Sequence, residues 1–281
     1  MAAPHNGPMK PAQLDHTPFA DIDRMPPPMV TLLIAALEAM SRHPEIQRVR
    51  DTARAALAPA AGQHLLDAGG GSGDVARRLA ADVGPDGDVL ALDYSAVTIE
   101  AARRRHDGSP VRYVTGDVSA LDLPDDAFDG VWCERVLQHV ADPDGAIAEL
   151  IRVTRPGGRV CLIDTDWESL AFDGPPADRA REVRAHMLAM FTATQRDMGR
   201  TLRRRMLSAG LTGVRAVPVT LCFDTPESAG VVLPMVNPMV PAETEMWPDG
   251  TRSDWLAEVE QAGRRGDFLA VLTIWVAVGT A

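Results

Sequence analysis

The sequence predicts an α/β fold, a doubly wound and mostly parallel sheet, from residue 61 to the C-terminus. From residue 63 onward, strand-like apolar runs alternate with segments of helical periodicity, which is the order that βαβ units produce. The glycine-rich turn Gly69-Gly70-Gly71-Ser72-Gly73 follows the first strand and precedes a helix. Such a turn lets a ligand approach the backbone at the carboxyl edge of the sheet, where open α/β sheets bind ligands.

Two segments precede the first strand. Residues 1–13 are rich in proline and polar side chains, and we expect them to form a disordered tail. Residues 14–60 contain two predicted helices, Met29–Met40 and Glu45–Leu57. Because these helices come before the first strand, we expect them to lie over the open carboxyl edge as an N-terminal helical cap.

The later elements follow in order along the chain. The strands predicted after the first one are Asp88–Leu92, a run ending near Val114, Phe128–Cys133, a run ending at Asp164, Thr212–Phe223 and Asp267–Gly279. Asp178–Leu207 is predicted to be one long helical stretch, and a further helix is expected near Ser253–Ala262. Between the sixth and seventh strands, Thr225–Gly250 is an irregular insertion rich in proline and methionine.

Composition excludes several classes of function. The net charge of −11 argues against a nucleic-acid partner, which usually leaves a basic footprint. Cys133, Cys161 and Cys222 are far apart, without metal-site spacing, so we expect buried, inert thiols and no metal. The chain begins without an apolar leader, and its longest largely apolar run, Phe268–Val278, is too short to cross a bilayer. These features predict a cytoplasmic protein without a membrane partner.

The spacing of the glycines distinguishes between cofactors. A dinucleotide fingerprint has glycine or alanine at the sixth position from Gly69, where this chain has Asp74. The pattern is instead G-x-G-x-G with an acid, Asp67, two residues before it. It resembles the first motif of class I S-adenosylmethionine-dependent methyltransferases. The segment Cys133-Glu134-Arg135-Val136, after the fourth strand, resembles the branch of that family that acts on quinones and secondary metabolites. A tight strand-to-helix turn without a ligand is the alternative.

Four further segments resemble the later motifs of that family. Asp93-Tyr94-Ser95 follows the second strand, and an acid at this distance from the glycines can accept the ribose hydroxyls of an adenosine. Gly116-Asp117-Val118 follows the third strand, although glycine and aspartate also favour a simple turn. The segments 128–140 and 150–160 complete the series, so the resemblance extends over roughly residues 60–165.

The resemblance implies a Rossmann-like fold with an antiparallel last strand beside the fifth, and S-adenosylmethionine as cofactor. In the family, the acid after the third strand binds the adenine amino group and the next backbone N–H faces the ring. The residues expected to bind the cofactor are Asp67, Gly69, Gly71, Gly73, Asp93, Tyr94, Asp117, Val118 and Glu134.

Catalysis requires positioning of the acceptor and, for an oxygen nucleophile, a base. We expect His139 to be this base, because it follows the fourth strand and histidine accepts protons near neutral pH. Asp166 follows the fifth strand and is expected to orient His139 or to act itself. A structural histidine and a solvated loop acid are the alternatives. Lower-ranked candidates are His16, Asp21, Asp23, Arg24 and His186.

The function expected is methyl transfer to a small, largely apolar acceptor, similar to a natural product or a quinone, at oxygen. Residues 165–210 and 224–266 are expected to form its pocket, since seven of the twelve methionines fall between 187 and 246, although core filling also explains them. Three alternatives stay open: a C-methyltransferase with an aromatic or prenyl acceptor, a non-transferring cyclase or binding protein that holds the cofactor, and a nicotinamide-dependent enzyme. The third would require the G-x-G-x-x-G spacing that this sequence lacks. An exchange of the apolar first helix between subunits would give a homo-oligomer.

Overall fold

The structure is a computed structural model that describes residues 22–281 except residues 192 and 245. The expected tail at residues 1–13, the first part of the expected cap, and the candidates His16 and Asp21 lie outside the described residues.

The described chain forms one seven-stranded sheet in the order β3-β2-β1-β4-β5-β7-β6. The strands are β1 His64–Ala68, β2 Asp88–Asp93, β3 Val111–Thr115, β4 Phe128–Glu134, β5 Thr154–Asp173, β6 Thr212–Phe223 and β7 Leu269–Thr280. The first five strands pair in parallel, and β7 lies antiparallel between β5 and β6. The expected fold class, with its antiparallel last strand, is confirmed.

The helices in the described part of the chain are α1 Pro27–Arg42, α2 Pro44–Leu57, α3 Asp74–Val83, α4 Ala96–Arg104, α5 Pro143–Arg152, α6 Ala177–Met190, α7 Ala193–Ser208, α8 Pro226–Val232 and α9 Arg252–Arg265. Short 3-10 turns occur at Ile22–Arg24, Leu137–His139, Pro234–Val236 and Ala242–Thr244. The insertion that was expected to be irregular therefore contains one short helix and two of these turns.

The sheet separates two hydrophobic cores. Leu65 and Leu66 are successive in β1 and belong to different cores, because alternate side chains of a strand point to opposite faces. Helices α2, α3, α4, α6, α8 and α9 contribute to the first core, whereas α5 and α7 contribute to the second. Helices thus cover both faces, as a doubly wound sheet requires.

Two of the expected boundaries were wrong. The single helix expected over Asp178–Leu207 is two helices, because α6 buries Val183 and Met187 in the first core while α7 buries residues in the second. One straight helix cannot reach both faces of the sheet. The fifth strand does not end at Asp164 but continues to Asp173, because β7 pairs with this extension as far as Leu269.

Helix α7 packs very closely against β5 at Gly199. A Cβ atom at this position would collide with the carbonyl oxygen of Asp164 and would lie 3.0 Å from Cδ1 of Trp275. We therefore expect Gly199→Ala to destabilise the protein by about 1–3 kcal/mol, measured by chemical denaturation. Ser208→Ala, at the exposed end of the same helix, is the matched control. Equal stability of the two variants would contradict the close packing.

The N-terminal segment, defined here as residues 22–57, contacts the carboxyl edge of the sheet at both ends. Asp23 accepts hydrogen bonds from the backbone N–H groups of Ala96 at 2.9 Å and Val97 at 3.2 Å, and so caps α4, which follows β2. From the middle of α2, Arg50 reaches Glu134 at the end of β4. Helix α1 connects these two attachments, and Glu38 on it pairs with Arg105.

Candidate cofactor and acceptor site

The glycine turn is tied to the neighbouring strand and open on one side. The backbone N–H groups of Gly69 and Gly70 both donate to the carbonyl of Leu92, at 2.7 and 2.9 Å. Gly69, Gly71 and Gly73 all have positive φ angles, of 82°, 51° and 79°, which favour glycine. A Cβ atom on Gly69 would collide with the side chain of Val136, whereas one on Gly71 meets no atom of the described residues within 4 Å. The backbone at Gly71 therefore faces space that a ligand can enter.

Asp93 lies at the end of β2 and supports the turn. Its Oδ2 accepts a hydrogen bond from Gly71 N at 2.9 Å, and its Oδ1 accepts from Ser95 N at 2.9 Å and Thr98 Oγ1 at 3.0 Å. A carboxylate oxygen can accept two hydrogen bonds, so Oδ2 retains a lone pair for a hydroxyl donor. Burial raises the pKa of Asp93, although the three hydrogen bonds act in the opposite direction.

The other residues expected to bind the adenosine of the cofactor lie along the same edge of the sheet. Tyr94 follows Asp93, and 64% of its surface is exposed, which leaves the ring face accessible. Asp117 follows β3, is exposed, and accepts a hydrogen bond from Ser119 N at 2.8 Å, while Val118 is buried in the second core. The structure thus places the acids Asp67, Asp93 and Asp117 at the ends of three adjacent parallel strands.

Asp67 is a buried carboxyl without a hydrogen-bond donor for one of its oxygens. It is 2% exposed, and no partner for Oδ2 exists among the residues that the structure describes. Burial raises its pKa to about 8, and the nearby negative charge of Glu134 adds to this effect. A buried acceptor without a donor is costly, so this position beside the glycine turn favours a ligand that brings a cation or a donor.

Glu134, at the end of β4, is paired with an arginine that the sequence did not single out. Nε of Arg50 lies 2.9 Å from Oε2 and 3.2 Å from Oε1 of Glu134, and Nη1 of Arg50 donates to Ser41 Oγ at 2.6 Å. Burial acts to raise the pKa of Glu134, but the positive charges of Arg50 and Arg135 outweigh it and lower the pKa. Glu134 is therefore ionised within a buried charged cluster.

A sequence signal for Arg50 does exist. The buried positions of α2 are Ile46, Val49, Arg50, Ala53 and Leu57, so one arginine interrupts the apolar stripe of the helix. Arg135 is a second residue that sequence reasoning missed. It adopts a left-handed backbone with φ of 54°, which is uncommon for a residue other than glycine, and its Nε lies 3.4 Å from Oε1 of Glu134.

His139 lies in the 3-10 turn after β4 in an environment that keeps it neutral. Burial lowers its pKa to about 4, and the positive charge of Arg135 contributes further. The turn is held by Asp164, which accepts a hydrogen bond from Gln138 N at 3.1 Å. Burial raises the pKa of Asp164 to about 7. The role of His139 as a base stays a prediction, and a histidine with so low a pKa is a weak one.

Asp166 is bound on both oxygens by an arginine of α7. Arg200 donates from Nε to Oδ2 at 2.7 Å and from Nη2 to Oδ1 at 2.5 Å. Arg200 also reaches Glu168 at 2.9 Å. The carboxylate of Asp166 is thereby engaged in a bidentate ion pair, so Asp164 is the acid that contacts the turn carrying His139. Whether Asp166 acts in catalysis stays a prediction.

An aromatic pair lies next to this turn. Trp167 Nε1 donates to Gln138 Oε1 at 2.9 Å, and the Trp167 ring stacks at a tilt on Phe191, with centroids 5.7 Å apart. Five of the seven methionines between residues 187 and 246 are buried in the protein core, while Met239 is exposed. The five are Met187, Met190, Met198, Met206 and Met235. The aromatic pair is therefore the better candidate for an apolar wall of an acceptor site.

The cysteines follow the sequence prediction only in part. Cys133 and Cys161 are buried, and burial raises the pKa of both thiols. Cys222 is exposed, so the expectation of a buried thiol was wrong there, because alternate residues of the edge strand β6 face outward.

In residues 22–281, apart from 192 and 245, no cluster of three His, Cys, Asp or Glu side chains suits a metal ion. Nor does that part of the chain contain a helix long and apolar enough to cross a membrane.

Comparison with protein families and curated proteins gives consistent results. A family described as a methyltransferase domain matches residues 66–162. An uncharacterized 37.1 kDa protein from a Streptomyces fradiae transposon is 36% identical over 222 residues, which are 78% of this chain and 63% of that protein. A demethylmenaquinone methyltransferase from Symbiobacterium thermophilum is 39% identical over 106 residues, covering 36% of this chain and 42% of the relative. The chain thus spans less than two thirds of these relatives.

Solved structures share the fold. A putative methyltransferase from Bacillus halodurans superposes with a TM-score of 0.53 at 19% identity, covering 82% of this chain and 97% of that one. A phosphoethanolamine N-methyltransferase from Haemonchus contortus, in complex with S-adenosylhomocysteine, gives 0.52 at 16% identity and covers 82% and 52%. The match over residues 66–162 identifies a methyltransferase domain in this chain, and the solved structures share its fold.

Proposed function

We propose that this protein transfers a methyl group from S-adenosylmethionine to a small, largely apolar acceptor. The observation that carries the proposal is the open glycine turn beside the buried Asp67, whose Oδ2 has no donor within the described part of the chain. The cofactor of this family offers an ammonium group, ribose hydroxyls and an adenine ring, which fit the groups along this edge. When bound, it supplies a methyl group on a positively charged sulfur, which is already activated for displacement.

The residues of the chain have distinct tasks in this proposal. Asp93 would accept the ribose hydroxyls, and Tyr94 would cover a face of the adenine. Asp117 and the N–H of Val118 would bind the edge of the adenine ring. Asp67 would accept the ammonium group, with Glu134 providing further negative charge nearby. Most of the catalytic effect would come from positioning, to which well-oriented geometry contributes about 7–11 kcal/mol.

The acceptor would lie against Trp167 and Phe191, beside the turn that carries His139. An apolar wall of this kind suits a ring or a prenyl chain. The curated relatives that match part of this chain support a quinone-like acceptor, since one from Hahella chejuensis is a ubiquinone/menaquinone biosynthesis C-methyltransferase, 36% identical over 108 residues.

The acceptor atom that receives the methyl group is either oxygen or carbon. An oxygen acceptor is the first candidate, and it needs a base to remove its proton. Transfer to carbon is the second candidate. Burial lowers the pKa of His139 to about 4, so its imidazole is a weak base, which favours an acceptor that depends less on one. Arg200 likewise engages both carboxylate oxygens of Asp166. An electron-rich carbon needs less help from a base.

The substrate class can be tested with cofactor labelled with ¹³C at the methyl group. The chain would be incubated with an organic extract of the cells that make it, or with demethylated quinols and phenols. The proposal predicts label in an organic-soluble product, and the NMR shift of the new methyl carbon distinguishes O–CH₃ from C–CH₃. Label found in RNA or in protein alone would contradict the small-molecule acceptor.

The pKa of His139 gives a prediction for the pH profile. Because burial lowers this pKa to about 4, the imidazole is already neutral at pH 6, and further deprotonation cannot raise the rate. We expect kcat at saturating cofactor to show no step near pH 6.5, the ordinary histidine value, that disappears in His139→Ala. For carbon transfer, His139→Ala should change kcat less than about tenfold. A loss of about 10²–10⁴-fold would instead establish an oxygen acceptor with His139 as base.

A further inference from the structure

Arg135 follows the last residue of β4 with its backbone in an unusual conformation. Its φ angle is 54°, in the left-handed region that residues other than glycine rarely adopt. Its backbone N–H donates to the carbonyl of Ile163 in β5 at 2.7 Å, which fixes the residue at the ends of these two strands. Residues with strained backbones cluster at ligand sites, where the surrounding structure compensates the strain. The backbone of Arg135 therefore directs attention to its side chain.

The guanidinium group of Arg135 has few acceptors among the residues that the structure describes. Its Nε lies 3.4 Å from Oε1 of Glu134, beyond the usual length of a hydrogen bond, and is buried without an acceptor in that part of the chain. Its Nη1 donates to Met40 Sδ at 2.8 Å, but a thioether sulfur is a weak acceptor. An arginine has five N–H donors, so this side chain can still donate to a ligand.

The positive charge of Arg135 is only partly compensated. Burial lowers its pKa, and although the charge of Glu134 raises it, the charge of Arg50 lowers it again. Glu134 is itself bound by Arg50 at 2.9 Å, so one carboxylate is shared by two cations. Arginine keeps its proton in proteins because its ordinary pKa is so high. A buried cation of this kind favours a ligand that brings a negative charge.

Arg135 lies between the two ligands of the proposed reaction. The next residue, Val136, packs on the glycine turn, since a Cβ atom on Gly69 would collide with its side chain. The 3-10 turn Leu137–His139 follows directly, and burial together with the charge of Arg135 lowers the pKa of His139. The guanidinium group is therefore close to both the cofactor turn and the turn that borders the acceptor wall.

We propose that Arg135 binds the acceptor as an anion, through the ionised hydroxyl of a phenol, quinol or enol. This inference rests on the proposed function and names the class of its substrate. The hydroxyl proton passes to water when the acceptor binds. A lone pair of the resulting oxyanion, or a π pair of the conjugated carbon beside it, then forms the new bond to the methyl carbon as the S–CH₃ bond breaks. Sulfur keeps the electron pair of that bond, and after transfer to carbon the proton on that carbon passes to water.

An anionic acceptor suits a site whose candidate bases are poor. Burial lowers the pKa of His139 to about 4, and Arg200 engages both oxygens of Asp166. A neutral phenol would depend on one of these side chains to remove its proton during transfer. A nearby cation favours the ionised form of a hydroxyl, so binding beside Arg135 makes the acceptor nucleophilic without such a base.

The test uses 4-nitrophenol as the probe, because its anion absorbs visible light and its neutral form does not. The full chain is saturated with S-adenosylhomocysteine, and the dye is added at pH 6. At this pH Asp164, whose pKa burial raises to about 7, is mostly protonated and does not repel the anion. The ratio of ionised to neutral dye should be about 10- to 100-fold higher for the bound dye than for the free dye.

Variants assign this effect to one side chain. Arg135→Met should abolish the increase in ionisation, whereas Arg135→Lys, which keeps a positive charge beside Glu134, should retain part of it. Arg54→Met is the matched control, because Arg54 lies on α2 and pairs with Asp82 of α3 instead. This control should ionise the dye as the wild type does.

The measurement on the wild-type protein can overturn the proposal without any variant. It does so if the dye binds in its neutral form, or if the protein that holds S-adenosylhomocysteine does not bind the dye at all. Ionisation of the dye by Arg135→Met to the same degree as by the wild type would also overturn it. If S-adenosylhomocysteine does not bind the wild type, the proposed function itself fails.

Discussion

Asp67→Asn should make the ligand-free protein more stable at pH 8 and at the same time impair cofactor binding. The folded-state pKa of about 8 lies above the unfolded value of about 3.9. The folded protein therefore binds an extra proton, so its stability falls as the pH rises from about 4 toward 8. Asparagine has no such proton. We expect it to gain on the order of 2–5 kcal/mol relative to wild type between pH 4 and pH 8.5.

Urea denaturation at pH 4 and pH 8.5 measures the gain in stability of Asp67→Asn. Calorimetry with S-adenosylhomocysteine measures its loss of binding affinity. Loss of a hydrogen bond to a charged group should weaken binding by about 10- to 100-fold. Asp82→Asn is the matched control, because Asp82 pairs with Arg54 at the far end of α3 and lies away from the glycine turn. A variant at Asp67 whose stability relative to wild type does not depend on pH would contradict the buried, protonated carboxyl.

Asp93→Ala should weaken binding of S-adenosylhomocysteine by about 100-fold or more. The carboxylate is expected to accept the ribose hydroxyls, and it also holds Gly71 N and Ser95 N in place. Its removal therefore loses ligand contacts and loosens the turn that the ligand must approach. Calorimetric titration gives the affinity directly, and circular dichroism checks that the variant is folded.

Thr98→Val is the matched control for Asp93→Ala. It removes the 3.0 Å hydrogen bond that Thr98 Oγ1 donates to Asp93 but keeps the carboxylate and the backbone contacts. We expect its affinity to stay within about threefold of wild type. Unchanged affinity in Asp93→Ala would rule out the assignment of this carboxylate to the ribose.

The sheet and the placement of glycines and acids at its carboxyl edge were predictable because their signals are local. The glycine spacing after β1 requires positive φ angles at Gly69, Gly71 and Gly73, and the structure has them. The acids Asp67 and Asp93 each end a short apolar run, and the ends of parallel strands meet at one edge. No long-range contact is needed to deduce either feature.

The charged cluster was not predictable in the same way, because its members come from distant parts of the chain. Arg50 reaches Glu134 across 84 positions of sequence. The sequence offered only an arginine within an apolar helical stripe, which is a weak sign of burial. The left-handed backbone of Arg135 could not be predicted from its residue type, because residues other than glycine seldom adopt it.

The roles of the two acids near His139 could not be predicted from the sequence either. Asp164 and Asp166 are two positions apart on β5, so the alternation of the strand gives them the same face. Their partners decide their roles: Gln138 N contacts Asp164, while Arg200 from α7 binds Asp166. Arg200 is 34 residues away, and nothing local assigns it to either acid.

Calorimetric titration of the wild-type protein with S-adenosylhomocysteine, with NAD⁺ titrated in parallel, tests the central claim most directly. Three features predict saturable binding of S-adenosylhomocysteine at one site: the open glycine turn, the acid at the end of β2, and Asp67 Oδ2, which has no partner among residues 22–281 other than 192 and 245. They also predict no binding of NAD⁺, because Asp74 replaces the third glycine of a dinucleotide turn. No binding of S-adenosylhomocysteine, or preferential binding of NAD⁺, would contradict the account.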